Sequence, residues 1–206
     1  LCVDTGYFET FNRDNVHLIN LKENPITQIS SLSLDADKTY EIDTLILATG
    51  FDAMTGALTS IDITGRDGAK LKDQWESGAK SYLGLGIANF PNLFTVTGPG
   101  SPSVLSNMMP SIEQHVNWIT DCIEWMNAND KKVIESSKTA EDDWMVLVNE
   151  IADMTIFTDT KSWYNGSNIE DKAKAFLPFI GVPVYTEMLE QIVAEDYKGF
   201  IFDRVN

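Results

Sequence analysis

With 206 residues, 43% of them apolar and 10% aromatic, this chain has ample material for a packed core and is not a disordered tail. Lys and Arg number 15 against 31 Asp and Glu, a net charge of −16, which excludes nonspecific binding to DNA or RNA through clustered cations. No apolar run approaches a membrane span and no charged-then-apolar leader is present, so the expectation is a cytoplasmic protein with no membrane partner.

In chain order, Leu1-Cys2-Val3-Asp4 lacks an initiator Met and leads straight into patterned sequence, as expected of a piece of a longer protein. Cys2 and Cys122 stand alone without metal-ligand spacing, so reduced thiols are expected and no metal site. Residues 1–46 read as β-rich: Val16–Leu21, Ile26–Ser30, Leu32–Leu34 and, past the Asp35–Lys38 turn, Tyr40–Asp43. The alternation changes at Thr44 to the apolar run Leu45-Ile46-Leu47-Ala48, long enough for a buried strand, which stops at Thr49-Gly50-Phe51-Asp52. That is how an α/β protein brings backbone close to a dinucleotide, although any strand ending in a turn reads the same way. A second strand and glycine turn, Asn92–Thr97 then Gly98-Pro99-Gly100-Ser101-Pro102, repeats the design.

Between these, residues 55–90 are rich in glycine and loops. Ile112, Val116, Ile119, Ile123 and Met126 share one face of a predicted helix, with Pro110 starting, ending or kinking a turn before it. Thr139-Ala140-Glu141-Asp142 resembles a cap opening a second helix through Trp144, Leu147, Val148, Ile151 and Met154, and Tyr185–Val193 is the third.

Gly84-Leu85-Gly86 and Gly98-Pro99-Gly100 each lack the third glycine of the dinucleotide fingerprint and the acidic residue beyond it, so neither is a primary pyrophosphate loop. The Gly98–Met108 segment could still present backbone N–H groups and a helix dipole to an anionic edge such as a reduced flavin; a plain strand-to-helix turn is the alternative. His17 and His115 are read as structural, Glu113 and Glu150 as solvated or capping. Trp163, in the polar loop Ser162–Gly166, either stacks on a ligand or anchors the loop. No hydrolase elbow or zinc motif occurs.

Asp4-Thr5-Gly6-Tyr7-Phe8-Glu9-Thr10-Phe11-Asn12-Arg13-Asp14-Asn15-Val16, the Ala48–Ala53 turn, Lys72-Asp73-Gln74-Trp75, Phe90-Pro91-Asn92-Leu93-Phe94, Gly98–Met108, Ser111-Ile112-Glu113-Gln114-His115-Val116 and Ser162-Trp163-Tyr164 together resemble the type I Baeyer–Villiger monooxygenases. The match is in order and nearly end to end, but covers only the C-terminal part of such an enzyme. The family's FAD and NADPH glycine fingerprints are absent, and its catalytic arginine is expected upstream of Leu1, so no catalytic residue is assigned in this chain.

The resemblance implies an α/β fold that is part of a flavoprotein monooxygenase with two dinucleotide-binding domains. Residues 1–46 would be the closing strands of the NADPH domain, and 47–206 the C-terminal half of the FAD domain with its helical extension. It implies the cofactors FAD and NADP, a peroxyflavin that attacks a ketone, and O2 as co-substrate, with ester or lactone as product. By the same resemblance, Thr49, Gly50, Asp52, Met108 and Trp163 would contact cofactor, Met108 at the flavin pyrimidine edge and Trp163 at the nicotinamide ribose. Ser103, Val104 and Leu105 would line the ketone pocket. Pro110 and the Asn168–Lys172 loop ending depart from the family pattern. Alone, the chain is expected to be inactive and to self-associate through uncovered edges. Oxidation of sulfur or nitrogen by a related flavin enzyme, or a non-catalytic interaction module, are the alternatives.

Overall fold

A computed structural model describes residues 5–102, 107–160, 162–167, 169, 173–174 and 180–203. The chain divides into two compact units, Leu1–Thr49 and Gly50–Asn206.

The first unit holds a one-turn helix α1 (Tyr7–Thr10) and strands β1 (Gln28–Ile29), β2 (Ser33–Asp35) and β3 (Thr39–Glu41) in an antiparallel meander ordered β1-β2-β3. Ser30 makes the first turn, accepting at Oγ from Ser33 N–H (3.0 Å); Leu34 pairs with Tyr40 in the register of the second. The meander matches the predicted extended pieces, but two other expected strands do not form. Val16–Leu21 is irregular with Leu18 81% exposed, and Leu45–Ala48 runs outside any ladder with Leu47 73% exposed. A strand exists only when a neighbour takes its N–H and C=O groups, and neither segment is laddered to one in this chain. No described residue of this unit is buried, because three short strands bury too little to make a core.

The second unit carries the core. Short helices α2 (Gly56–Thr59) and α3 (Leu71–Gln74) lead into a small cluster of Leu71, Trp75, Ala79, Ile87 and Phe90. The larger core lies among α4 (Met108–Ala128), β4 (Val133–Ser136), α5 (Lys138–Asp153), α6 (Val182–Ala194) and β5 (Phe200–Asp203), with Leu83, Leu85, Trp118, Trp144, Val148 and Tyr185 at its centre. The second predicted strand, Asn92–Thr97, is reduced to one bridge between Phe94 and Gly86.

All three predicted helices form. Pro110 sits in the first turn of α4, where an N–H has no intrahelical acceptor, so it costs no bond. The buried face of α4 is Ser111, His115, Trp118, Cys122 and Met126; Met126 is as expected, while the rest is rotated by one residue from the expected stripe, and Val116 and Ile123 are exposed. Both faces of α4 carry apolar residues at helical spacing, and aromatic partners decide between them: Trp118 packs edge-on against Tyr197 and tilted against Phe200. Helix α5 is capped by Ser137, whose Oγ accepts from Ala140 N–H, two residues before the expected cap. The antiparallel β4–β5 ribbon, Ile134 opposite Phe202, was not anticipated.

Cys122 is fully buried and free, and burial pushes its thiol up to about 12. Peptide mapping after brief treatment with a thiol reagent should therefore find Cys122 unmodified in native protein and modified in denaturant.

Candidate functional site

The Gly98–Pro102 turn is buried throughout, and four successive residues at its start are each held by a buried side chain. Thr97, with φ +50, donates its N–H to His115 Nδ1 (2.9 Å). The Gly98 carbonyl accepts from Ser101 Oγ (2.8 Å), that of Pro99 from Ser81 Oγ, and that of Gly100 from the Trp144 indole N–H (2.9 Å). The glycines make this approach possible. A Cβ on Gly98 would stand 2.4 Å from Thr95 Oγ1, and one on Gly84 would stand 2.5 Å from Ser101 Cβ. These glycines thus serve the chain's own packing, and the turn itself is closed to a ligand.

The start of α4, beyond this turn, is open. Asn107 caps the helix, its side chain accepting from Met109 N–H (3.0 Å); Met108 is half-buried, while Asn107, Met109 and Pro110 are exposed. The first turn of this 21-residue helix, the positive end of its dipole, therefore carries exposed residues. Ser103, Val104 and Leu105 lie outside the described residues.

His115 is structural, as its sequence context suggested. Tyr185 donates its hydroxyl to the Leu83 carbonyl (2.6 Å), so the 2.9 Å contact between Tyr185 and His115 requires Nε2–H as donor. Nδ1 is already an acceptor, so the ring is neutral, and burial lowers its pKa to about 4. His17 is exposed and outside any strand, and Glu113 and Glu150 are exposed.

The remaining candidates lie on separate segments. Thr49 and Gly50 are exposed on either side of the division between the units. Gly50 has φ +84, and a Cβ added there would have nothing within 4 Å, so glycine is favoured by backbone conformation alone. Asp52 lines a cleft of about 380 Å³ with Thr55, Lys72, Trp75 and Ile169, to which Met108 and Trp163 do not contribute. Trp163 opens a single 3-10 turn and is 50% exposed. Its loop is anchored by buried Asn165, whose Nδ2 donates to the carbonyls of Phe157 (3.1 Å) and Thr160 (3.2 Å).

Sequence reading missed four buried polar residues, Ser81, Glu141, Trp144 and Tyr185, as hydrogen-bonding groups. Glu141 accepts from Ala88 N–H at Oε1 (3.0 Å), while Oε2 finds no hydrogen-bond partner and lies 3.8 Å from Lys138 Nζ. Burial raises its pKa. The signal was available: Glu141 falls on the helical stripe of Trp144, Met145 and Val148. Among the described residues no cluster of His, Cys, Asp and Glu could hold a metal ion, and no helix is long and apolar enough to cross a membrane.

No protein-family model matches the chain. Cyclohexanone 1,2-monooxygenase of an Acinetobacter species is 40% identical over 97% of the chain, and phenazine N-monooxygenase PhzNO1 of Lysobacter antibioticus is 38% identical over 95%. The structure of OTEMO in complex with FAD and NADP superposes with a TM-score of 0.88 over 97% of the chain at 34% identity. The chain spans 36–37% of the length of these proteins. Over the stretch it spans, nearly all of its residues align in sequence and fold with flavoproteins of this kind, and the chain belongs to the Baeyer–Villiger monooxygenase family.

Proposed function

We propose that this chain forms the C-terminal part of an FAD- and NADPH-dependent enzyme that inserts an oxygen atom into ketones to give esters or lactones, and that it is inactive by itself. Residues 1–46 would belong to the NADPH domain and 47–206 to the FAD domain. The supporting observation is the exposed first turn of α4 behind a rigidly held turn, in a chain that aligns along its length with such enzymes. Bound FAD would supply the oxygen-activating chemistry, with electrons from NADPH. The part of the chain is to bind and orient. The Met108 backbone and the α4 dipole favour negative charge on a flavin edge; Thr49, Gly50 and Asp52 meet the cofactors as the chain crosses from one domain to the other. Trp163, half exposed above its Asn165 anchor, contacts the nicotinamide ribose, and Ser103, Val104 and Leu105 line the ketone pocket. The reading also takes the enzyme to be cytoplasmic and the isolated chain to self-associate through its uncovered Leu45–Leu47 run.

The enzyme containing this chain, purified with cyclohexanone, O2 and NADPH, should be yellow and should yield the lactone with ketone-dependent NADPH oxidation. The chain alone should be colourless and inert. A colourless full-length protein would refute the reading. The likeness to a phenazine N-monooxygenase favours a second one, oxidation at nitrogen, which N-oxide formation without any lactone would establish.

A further inference from the structure

Four consecutive backbone groups, Thr97 N–H and the carbonyls of Gly98, Pro99 and Gly100, are each held by a side-chain hydrogen bond. The three groups that reach them from elsewhere come from different parts of the fold: His115 from α4, Ser81 from the loop after α3, and Trp144 from α5. Each is buried: Ser81 0%, His115 1% and Trp144 4% exposed. Ser81 is doubly engaged, accepting from Gly84 N–H (3.1 Å) while donating to Pro99. His115 is held in turn by Tyr185 of α6. Buried backbone groups need partners, and here those partners are supplied by side chains of three separate parts of the fold. Polar groups in these numbers, all buried, fix orientation as well as position. Since His115 stands about two turns into α4, its bond to Thr97 ties the turn directly to the helix whose start lies open at the surface.

We propose that His115, Ser81 and Trp144 are positioning residues that hold the Thr97–Gly100 turn in place and thereby fix the height and tilt of the start of α4 against the flavin edge. The inference rests on the flavin reading above. None of the three touches the cofactor; each acts through backbone. Loosening one lets the helix start drift, and a displacement of about 1 Å at a reacting centre can cost on the order of 10²-fold in rate.

The test uses the full-length flavoprotein with His115→Leu, His115→Gln and Trp144→Phe. Leucine removes both ring hydrogen bonds. Glutamine restores an acceptor and a donor, and phenylalanine keeps an aromatic ring at Trp144 without its N–H. In His115→Leu and Trp144→Phe, flavin should remain bound with a shifted visible band. Hydrogen exchange of the peptide covering 97–101 should accelerate, and NADPH oxidised without ester or lactone formed should rise about tenfold, within the range expected for a misplaced group. His115→Gln should return all three toward wild type. If His115→Leu does not fold, Trp144→Phe carries the test. Unchanged flavin spectrum and coupling in the flavin-loaded variants, whatever their melting temperatures, would overturn the proposal. A wild-type protein that binds no flavin would overturn the flavin reading and this inference with it, and is seen before any variant is made.

Discussion

Gly84→Ala is expected to destabilise the protein by about 2–4 kcal/mol, the sum of a left-handed backbone penalty near 1 kcal/mol and an overpacking cost of about 1–3. Gly84 has φ +73, and a methyl there would lie 2.5 Å from Ser101 Cβ and 2.7 Å from Ser101 N. Relief requires Ser101 to move, but its N–H and Oγ both bind the Gly98 carbonyl inside a turn held by Ser81 and Trp144. Gly68→Ala is the control. Its φ is +80 with nothing within 4 Å, so it should lose only the conformational share, about 1 kcal/mol. Urea unfolding of the two variants side by side gives the comparison, and equal losses would show that the turn yields easily.

The second large effect is a fall in stability with acid. Unfolded His115 takes up its proton near pH 6.5, whereas in the folded protein it does so only near 4, because the ring is buried. Between those values the unfolded state binds more protons, so stability is fully present above about pH 6.5 and is lost as pH falls toward 4. The total is about 3 kcal/mol at roughly 1.4 kcal/mol per pKa unit. Glu141 acts in the opposite sense. Burial raises its folded pKa, so its contribution favours the fold below the ordinary carboxylate range and is lost as pH rises through the raised value. The histidine contribution is therefore read as the difference between wild type and His115→Gln in unfolding free energy across pH 4–7. A flat difference would mean that the ring takes up its proton at the same pH in the folded and unfolded protein.

How much of this could be read from the sequence varied with the range of the interaction. The extended pieces of the meander were legible because the Asp35–Lys38 turn between them is local chemistry, and the helices because their apolar period is internal to each. The rotation of α4 by one residue was not. Ile112–Val116–Ile123 and His115–Trp118–Cys122 are both valid stripes that share Met126, and only Tyr197 and Phe200, far along the chain, choose between them. Leu45–Ala48 has the composition of a buried strand, yet a strand needs partners that composition cannot supply. The β4–β5 ribbon was not legible either, because each strand is four residues long and its partner is distant. At the site, the glycines of Gly98-Pro99-Gly100 admit Thr95, Ser81 and Trp144, neighbours that the motif alone does not announce. Ser81 and Tyr185 carry no local signature, because their carbonyl acceptors lie 18 and 102 residues away.

The β4–β5 ribbon also sets an order of events during folding. Phe200 and Phe202 cover Tyr82, Trp118 and Trp125, and the Tyr82 hydroxyl donates to the Lys198 carbonyl across 116 residues. On the ribosome the indoles of α4 are made well before these phenylalanines, and loop closure over such spans is slow relative to helix formation. The nascent helices must therefore wait with their aromatic faces wet, and the strand that seals them is synthesised after all of them. Trimming the chain by proteolysis before Phe200 would return the unit to that unfinished intermediate.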